Sequence, residues 1–178
     1  MKFKKTDFTG LVIVDLENHD DSRGVFKEVY KKSLFTNFFK KEISFLQENE
    51  VKSNFGSLRG LHFQKKPHDQ SKLIRVVSGE ILDVVVDIRK NSNTYGQYFK
   101  IRLSEKSNRH LFIPSGFAHG YLTLTKNAIV NYKVDKEYKP EYEAGIAYDD
   151  KFLNIDWELD KSNFIISRKD RELTNYTW

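Results

Sequence analysis

The chain has 178 residues and no cysteine, which excludes disulfides, thiolate metal sites and a cysteine nucleophile. Thirty Lys and Arg against 25 Asp and Glu leave a net charge of +5. The positive residues are scattered among acids with no basic arm or nucleic-acid motif, so no nucleic-acid partner is expected.

The first 15 residues are charged throughout and lack the apolar run of a signal peptide core. No apolar stretch approaches the ~20 residues that span a bilayer. The expectation is therefore a soluble, cytoplasmic protein without a membrane partner. The length fits one domain, 1–178, able to bury roughly 70% of its unfolded surface.

Strand signals recur in chain order. They run from Leu11 to Asp15, Val25 to Tyr30, Ile43 to Val51, Lys72 to Val77 and Glu80 to Ile88. They continue from Tyr98 to Leu103, His119 to Thr125 and Ile129 to Val134. Ser78-Gly79, Asn91-Ser92-Asn93 and Thr125-Lys126-Asn127 supply turns between them. One helix is predicted, Lys32 to Phe39, and the tail after Asp150 is expected to wrap the domain. In the strand 81–88, Leu82, Val84, Val86 and Ile88 share one apolar face, and Asp83, Val85 and Asp87 share the other. Many short strands with little helix predict an all-β sandwich or barrel, a jelly roll first. Inward polar residues of such a barrel are the natural site candidates.

Three segments carry chemistry. The densest is Ser57-Leu58-Arg59-Gly60-Leu61-His62-Phe63-Gln64, followed by Gln70-Ser71-Lys72-Leu73. His62 suits proton transfer near neutral pH, and Arg59 and Lys72 could stabilise an oxyanion or hold phosphate. A core histidine with surface cations reads the same segment equally well. A regular strand turns Arg59 and His62 to opposite faces, unless Gly60 seats a bulge. The second segment, Ile113-Pro114-Ser115-Gly116-Phe117-Ala118-His119-Gly120, delivers His119 onto a strand through a Pro/Gly turn. The third, Asn131-Tyr132-Lys133, offers a tyrosine that acts as an acid if a neighbouring charge lowers its pKa, or simply packs. Near the C-terminus, Asp170 could orient a histidine.

Together with Asp21-Ser22-Arg23-Gly24-Val25-Phe26-Lys27-Glu28, these segments resemble the dTDP-4-dehydrorhamnose 3,5-epimerase family from about Phe8 to Asp170. The resemblance implies a cupin-type double-stranded β-helix, or jelly roll, that forms a homodimer by strand exchange or pairing. It implies a nucleotide-diphosphate sugar as substrate, dTDP-linked, and inversion of C3 and C5 of a 4-keto-6-deoxy hexose through an enolate. By the resemblance His62 is the base, Tyr132 the proton donor, Asp170 the acid that partners the base, and Lys72 the group near the keto oxygen. Arg23, Phe26, Glu28, Gln47, Asn49, Arg59, His119, Glu143 and Lys169 match substrate-contacting positions, and Asp83 matches a buried acid beside the site. No metal and no cofactor are implied, because the ketone is itself the electron sink.

The chain departs from the family pattern at Val51, where members carry Ser. Sister activities stay open: C3-only epimerisation or 3,4-keto isomerisation. So do a metal-dependent cupin and a sugar-nucleotide-binding module without catalysis.

Overall fold

All 178 residues are described by the computed structural model. The first half holds β1 (Lys2–Lys5), β2 (Val12–Asp15), β3 (His19–Asp21), β4 (Gly24–Phe26), α1 (Lys32–Phe39), β5 (Gln47–Asn54), β6 (Ser57–Gln64) and β7 (Lys72–Ser78). The second holds β8 (Glu80–Asp87), β9 (Tyr98–Ser104), β10 (Arg109–Ile113), β11 (Phe117–Thr123), β12 (Asn127–Val134), β13 (Glu143–Gly145), β14 (Ile165–Ile166) and α2 (Arg168–Arg171).

Eight strands pair as a nest. β8 pairs with β9, β7 with β10, β6 with β11 and β5 with β12, all antiparallel. That nesting is the jelly roll expected from the strand pattern, and it places the strands in two facing sheets. One sheet has the order β1-β2-β10-β7-β12-β5, the other β13-β6-β11-β8-β9. β3 and β4 pair only with each other.

β8, β10 and β11 are buried on both faces, which explains their lack of polar alternation, whereas β5 alternates half-buried and exposed residues. Ile74, Val76, Ile81, Val85, Leu111, Ile113 and Val130 fill the space between the sheets. The apolar face of β8 with Leu82, Val84 and Val86 points the other way, where it is covered by Leu153 and Trp157 of the C-terminal tail. The tail therefore wraps the domain as expected. Its buried side chains each contribute roughly 1.5–3 kcal/mol. The back of the first sheet is closed by α1, whose Phe35 is fully buried against Val12, Val14, Leu73 and Phe112. No helix is long and apolar enough to cross a membrane.

Several element boundaries differ from expectation. The strand predicted from Val25 to Tyr30 ends at Phe26, and that from Ile43 to Val51 lies at Gln47–Asn54. β1 and β10 were not anticipated: three of the four residues of β1 are lysines, and β10 has only five residues. β6 is a single strand despite Gly60 at its middle.

Gly60 carries the feature that positions the site. His62 stands opposite His119 on β11, but Arg59 stands opposite Tyr121, so β6 has one residue more than its partner between these points. That extra residue is a bulge. Gly60 has φ +106°, and a Cβ there would lie 2.6 Å from the His119 carbonyl oxygen and 2.7 Å from the Gly120 Cα. Only glycine fits, because both the angle and the space exclude a side chain. Gly60→Ala is expected to cost at least about 1–3 kcal/mol in urea unfolding. A variant with unchanged midpoint and slope would refute the bulge.

Candidate active site

The cleft opens between the sheets as two adjoining cavities of about 320 and 270 Å³. His62, Lys72 and Tyr132 line both, so these three side chains stand at their junction. Gln47, Asn49 and Glu143 line the first; Arg59, His119, Lys169 and Asp170 line the second. His62 comes from β6 in one sheet, Lys72 and Tyr132 from β7 and β12 in the other. A histidine and a tyrosine are thereby held on facing walls.

His62 Nε2 lies 2.6 Å from Asp170 Oδ1. Asp170 is buried on α2, a single turn whose Ser167 Oγ accepts from the Asp170 amide. The Gly60 amide approaches its other oxygen at 3.4 Å. Burial alone would raise the Asp170 pKa, but the hydrogen bond and charge of His62, with the Gly60 amide and Ser167, hold it below the usual range. Asp170 is thus an ionised acceptor fixed against one ring nitrogen.

A second pair lies deeper. His119 Nε2 is 2.9 Å from Asp83 Oδ2, and both side chains are buried. Burial lowers the His119 pKa, against the pull of Asp83. Lys72 faces Asp83 and Glu143; burial still brings its pKa from 10.5 to about 8. An ammonium with so low a pKa parts with a proton more readily than a surface lysine.

The sequence leaves Tyr132 either as an acid, if a neighbouring charge lowers its pKa, or as packing; burial raises its pKa and outweighs the opposite pull of Arg59. The phenol is therefore a firm proton holder at neutral pH.

The rim is a linked network. Glu143 accepts from Tyr138 Oη and pairs with Lys169. Gln47 Nε2 donates to Asn49 Oδ1 at 2.9 Å, and its own Oε1 accepts from the Tyr138 amide. Arg59 Nε donates to Ser53 Oγ at 3.1 Å, and Ser53 in turn contacts Tyr121 Oη. Ser53, Tyr121, Tyr138 and Gln64 were not singled out in the sequence. Ser53 had a signal, since Gln47, Asn49, Val51 and Ser53 share one face of β5 at period two. Val51 lines the second cavity.

Three expected residues are not brought to the cleft. Arg23 is exposed and bonded to Asp21, Phe26 is exposed on the β3–β4 hairpin, and Glu28 pairs with Lys31. No group of three or more His, Asp or Glu side chains is placed to hold a metal ion.

Comparison with known proteins identifies the family and the fold. The family model for dTDP-4-dehydrorhamnose 3,5-epimerase matches residues 5–177. The chain is 49% identical over 172 residues to the dTDP-4-dehydrorhamnose 3,5-epimerase of Methanothermobacter thermautotrophicus, covering 96% of this chain and 91% of that one. It superposes with TM-score 0.93 and 41% identity on the enzyme of that name from Bacillus anthracis with TDP and PPi bound, covering 98% and 99% of the two chains. The Legionella pneumophila dTDP-6-deoxy-D-glucose-3,5-epimerase in complex with dTDP-4-keto-L-rhamnose also gives TM-score 0.93, at 37% identity, covering 98% and 92%.

The environment of Lys72 is directly measurable. Its ammonium is expected to titrate near pH 8 by NMR of the side-chain nitrogen, and lower still in Asp83→Asn, which removes a carboxylate that raises it. A titration near the unshifted 10.5 would contradict its burial.

Proposed function

The chain belongs to the dTDP-4-dehydrorhamnose 3,5-epimerase family, and from that premise we propose that it inverts C3 and C5 of a dTDP-linked 4-keto-6-deoxy hexose. It is an isomerase of the epimerase type. The observation that carries the residue assignment is the His62–Asp170 pair on one wall facing Tyr132 on the other, with Lys72 at the same junction.

The C4 ketone acidifies the protons on C3 and C5. His62 removes one of them. Its Nε2–H donates to Asp170, which leaves Nδ1 with the lone pair, and the ionised carboxylate stabilises the imidazolium that forms. The electron pair moves onto the keto oxygen as an enolate. Lys72 stabilises that oxygen with a charge-assisted hydrogen bond. Tyr132 then delivers a proton to the opposite face of the carbon. Its raised pKa ensures that it carries the proton when the enolate forms. A base and an acid on opposite faces invert the centre. The ketone is the electron sink, so the reaction as drawn calls for no metal and no cofactor.

Arg59 and Lys169 supply positive charge toward the second cavity for the diphosphate, and Gln47, Asn49 and Glu143 offer polar contacts in the first. His119 and Asp83 form a fixed pair behind Lys72 that sets its charge. The 178 residues act as one catalytic unit, which we place in the cytoplasm.

The enzyme works as a homodimer in this reading. Arg23, Phe26 and Glu28 lie on or beside a hairpin that pairs with no other strand, which supports their reaching the partner's cleft.

His62→Ala is expected to lower kcat by about 10²–10⁴ while circular dichroism stays native. Full activity in a folded variant would overturn the base. Turnover in D₂O is expected to place deuterium at both C3 and C5, read by proton NMR. Deuterium at C3 alone would make the protein a single epimerase. Mixing inactive Arg23→Ala and His62→Ala chains is expected to restore about a quarter of wild-type activity, because hybrid dimers hold one intact site. No recovery under conditions of subunit exchange would place Arg23 in its own chain's site.

A further inference from the structure

A third cavity, of about 90 Å³, lies on the other face of the first sheet from the cleft. β7 runs between the two. Ile74 and Val76 point into the sandwich, while Leu73 packs on the back of the sheet beside α1, and Arg75 alternates with Ile74 onto that back face. There Arg75 stands opposite His110 of β10. The cavity is lined by both of these, by Arg109 and Asn108, and by Lys27 from the segment after β4.

His110 is the anomaly. It is 3% exposed, and neither ring nitrogen has a hydrogen-bond partner in the protein. A buried donor without a partner bears its full desolvation penalty, so an isolated histidine is a poor choice for this position. Its surroundings are cationic. Burial, then Arg75, Lys27 and Lys133, push its pKa down to about 3, so the ring is neutral and always carries one N–H.

The charges around it do not cancel. Asp15 pairs with Arg109, and also with Lys4. Glu105 also lines the cavity, its carboxylate accepting from the Gly79 amide but paired with no cation, so it offsets one positive charge and leaves the lining net positive. Lys133 is paired with Glu48. Arg75 has no ion pair or hydrogen bond, and Lys27 donates only to the neutral Asn108 Oδ1. Two cations thus face a buried N–H with no carboxylate assigned to either. An oxyanion would satisfy the Arg75 fork, the Lys27 ammonium and the His110 N–H at once.

We propose that this cavity is a second, non-catalytic anion site that takes one small tetrahedral oxyanion of the inorganic phosphate class. The size sets the class: at about 90 Å³ it is less than a third of the first cleft cavity, too small for a sugar or a nucleotide. The proposal stands apart from the epimerase reading, since none of its residues line the cleft.

The test uses the full-length protein saturated with dTDP, so that the cleft is already occupied. Inorganic phosphate is added at ionic strength held constant with chloride, and the His110 imidazole resonances are followed by NMR. A saturable shift is expected, weakened about tenfold or more in Arg75→Met. Lys27→Met is expected to weaken it likewise, and serves if Arg75→Met does not fold. A shift that chloride reproduces, that never saturates, or that survives both substitutions would mean an adventitious ion only and would overturn the site.

Discussion

A strand that kept its period of two through residues 57–64 would send Arg59 and His62 to opposite sides of the sheet. Arg59 would then reach the cleft only if His62 faced the C-terminal tail. The extra residue at Gly60 removes the conflict, and both side chains enter the same space. Gly120, across from it on β11, is equally confined: a Cβ there would lie 2.6 Å from the Arg59 carbonyl oxygen. Two glycines face to face let the backbones approach where the ladder is broken. The Gly60 amide, freed from regular pairing by the bulge, points at Asp170. One backbone irregularity therefore aims His62 and helps to hold Asp170.

The electrostatics of the cleft follow from burying several charges together. An isolated buried ion is costly, and each one here has a hydrogen-bond partner or an opposite charge within reach. Asp170 meets His62, Asp83 meets His119 and Lys72, and Glu143 meets Lys169 and Lys72. Desolvation then acts in opposite directions on the two neutralisable groups, lowering Lys72 and raising Tyr132. In the proposed mechanism the ammonium would be a better donor to a developing enolate, and the phenol a more secure reservoir for the returning proton. The same burial acts on both residues, so it need not be tuned separately for each.

Much of this was legible in the chain because strands advertise themselves locally. α1 lies where the helix was predicted, and β7, β8 and β9 lie within one residue of expectation. Gly60 was legible as a bulge because Arg59 and His62 could not otherwise share a face. Contacts between distant segments were not legible from pattern. His62 and Asp170 are 108 residues apart, and nothing in either segment names the other; only the resemblance joined them. Tyr121 and Tyr138 look like ordinary sheet and loop aromatics until the fold sets their hydroxyls beside Ser53 and Glu143. The direction of the Tyr132 shift was not legible either, for a related reason. Arg59 was visible in the sequence as a charge, but the depth of burial that overrides it belongs to the assembled sandwich.

The β3–β4 hairpin is where a single chain is least self-sufficient. Two strands of three residues with no third strand are marginal in water, and here Val25 and Phe26 are 56% and 69% exposed. β5 ends its sheet with an open edge of eight residues, the kind of edge that soluble proteins usually cover. The same strand carries Gln47, Asn49 and Val51 into the cleft. A hairpin seeking a sheet and a sheet edge bordering the cleft are complementary needs, and in the proposed dimer a second copy would meet both through one symmetric contact. In the proposed dimer, Arg23 and Phe26 would bring a guanidinium and an aromatic face to a cleft whose own walls are mainly polar. Those two chemistries are what a diphosphate and a flat base require, so completing the fold and completing the substrate site become the same event.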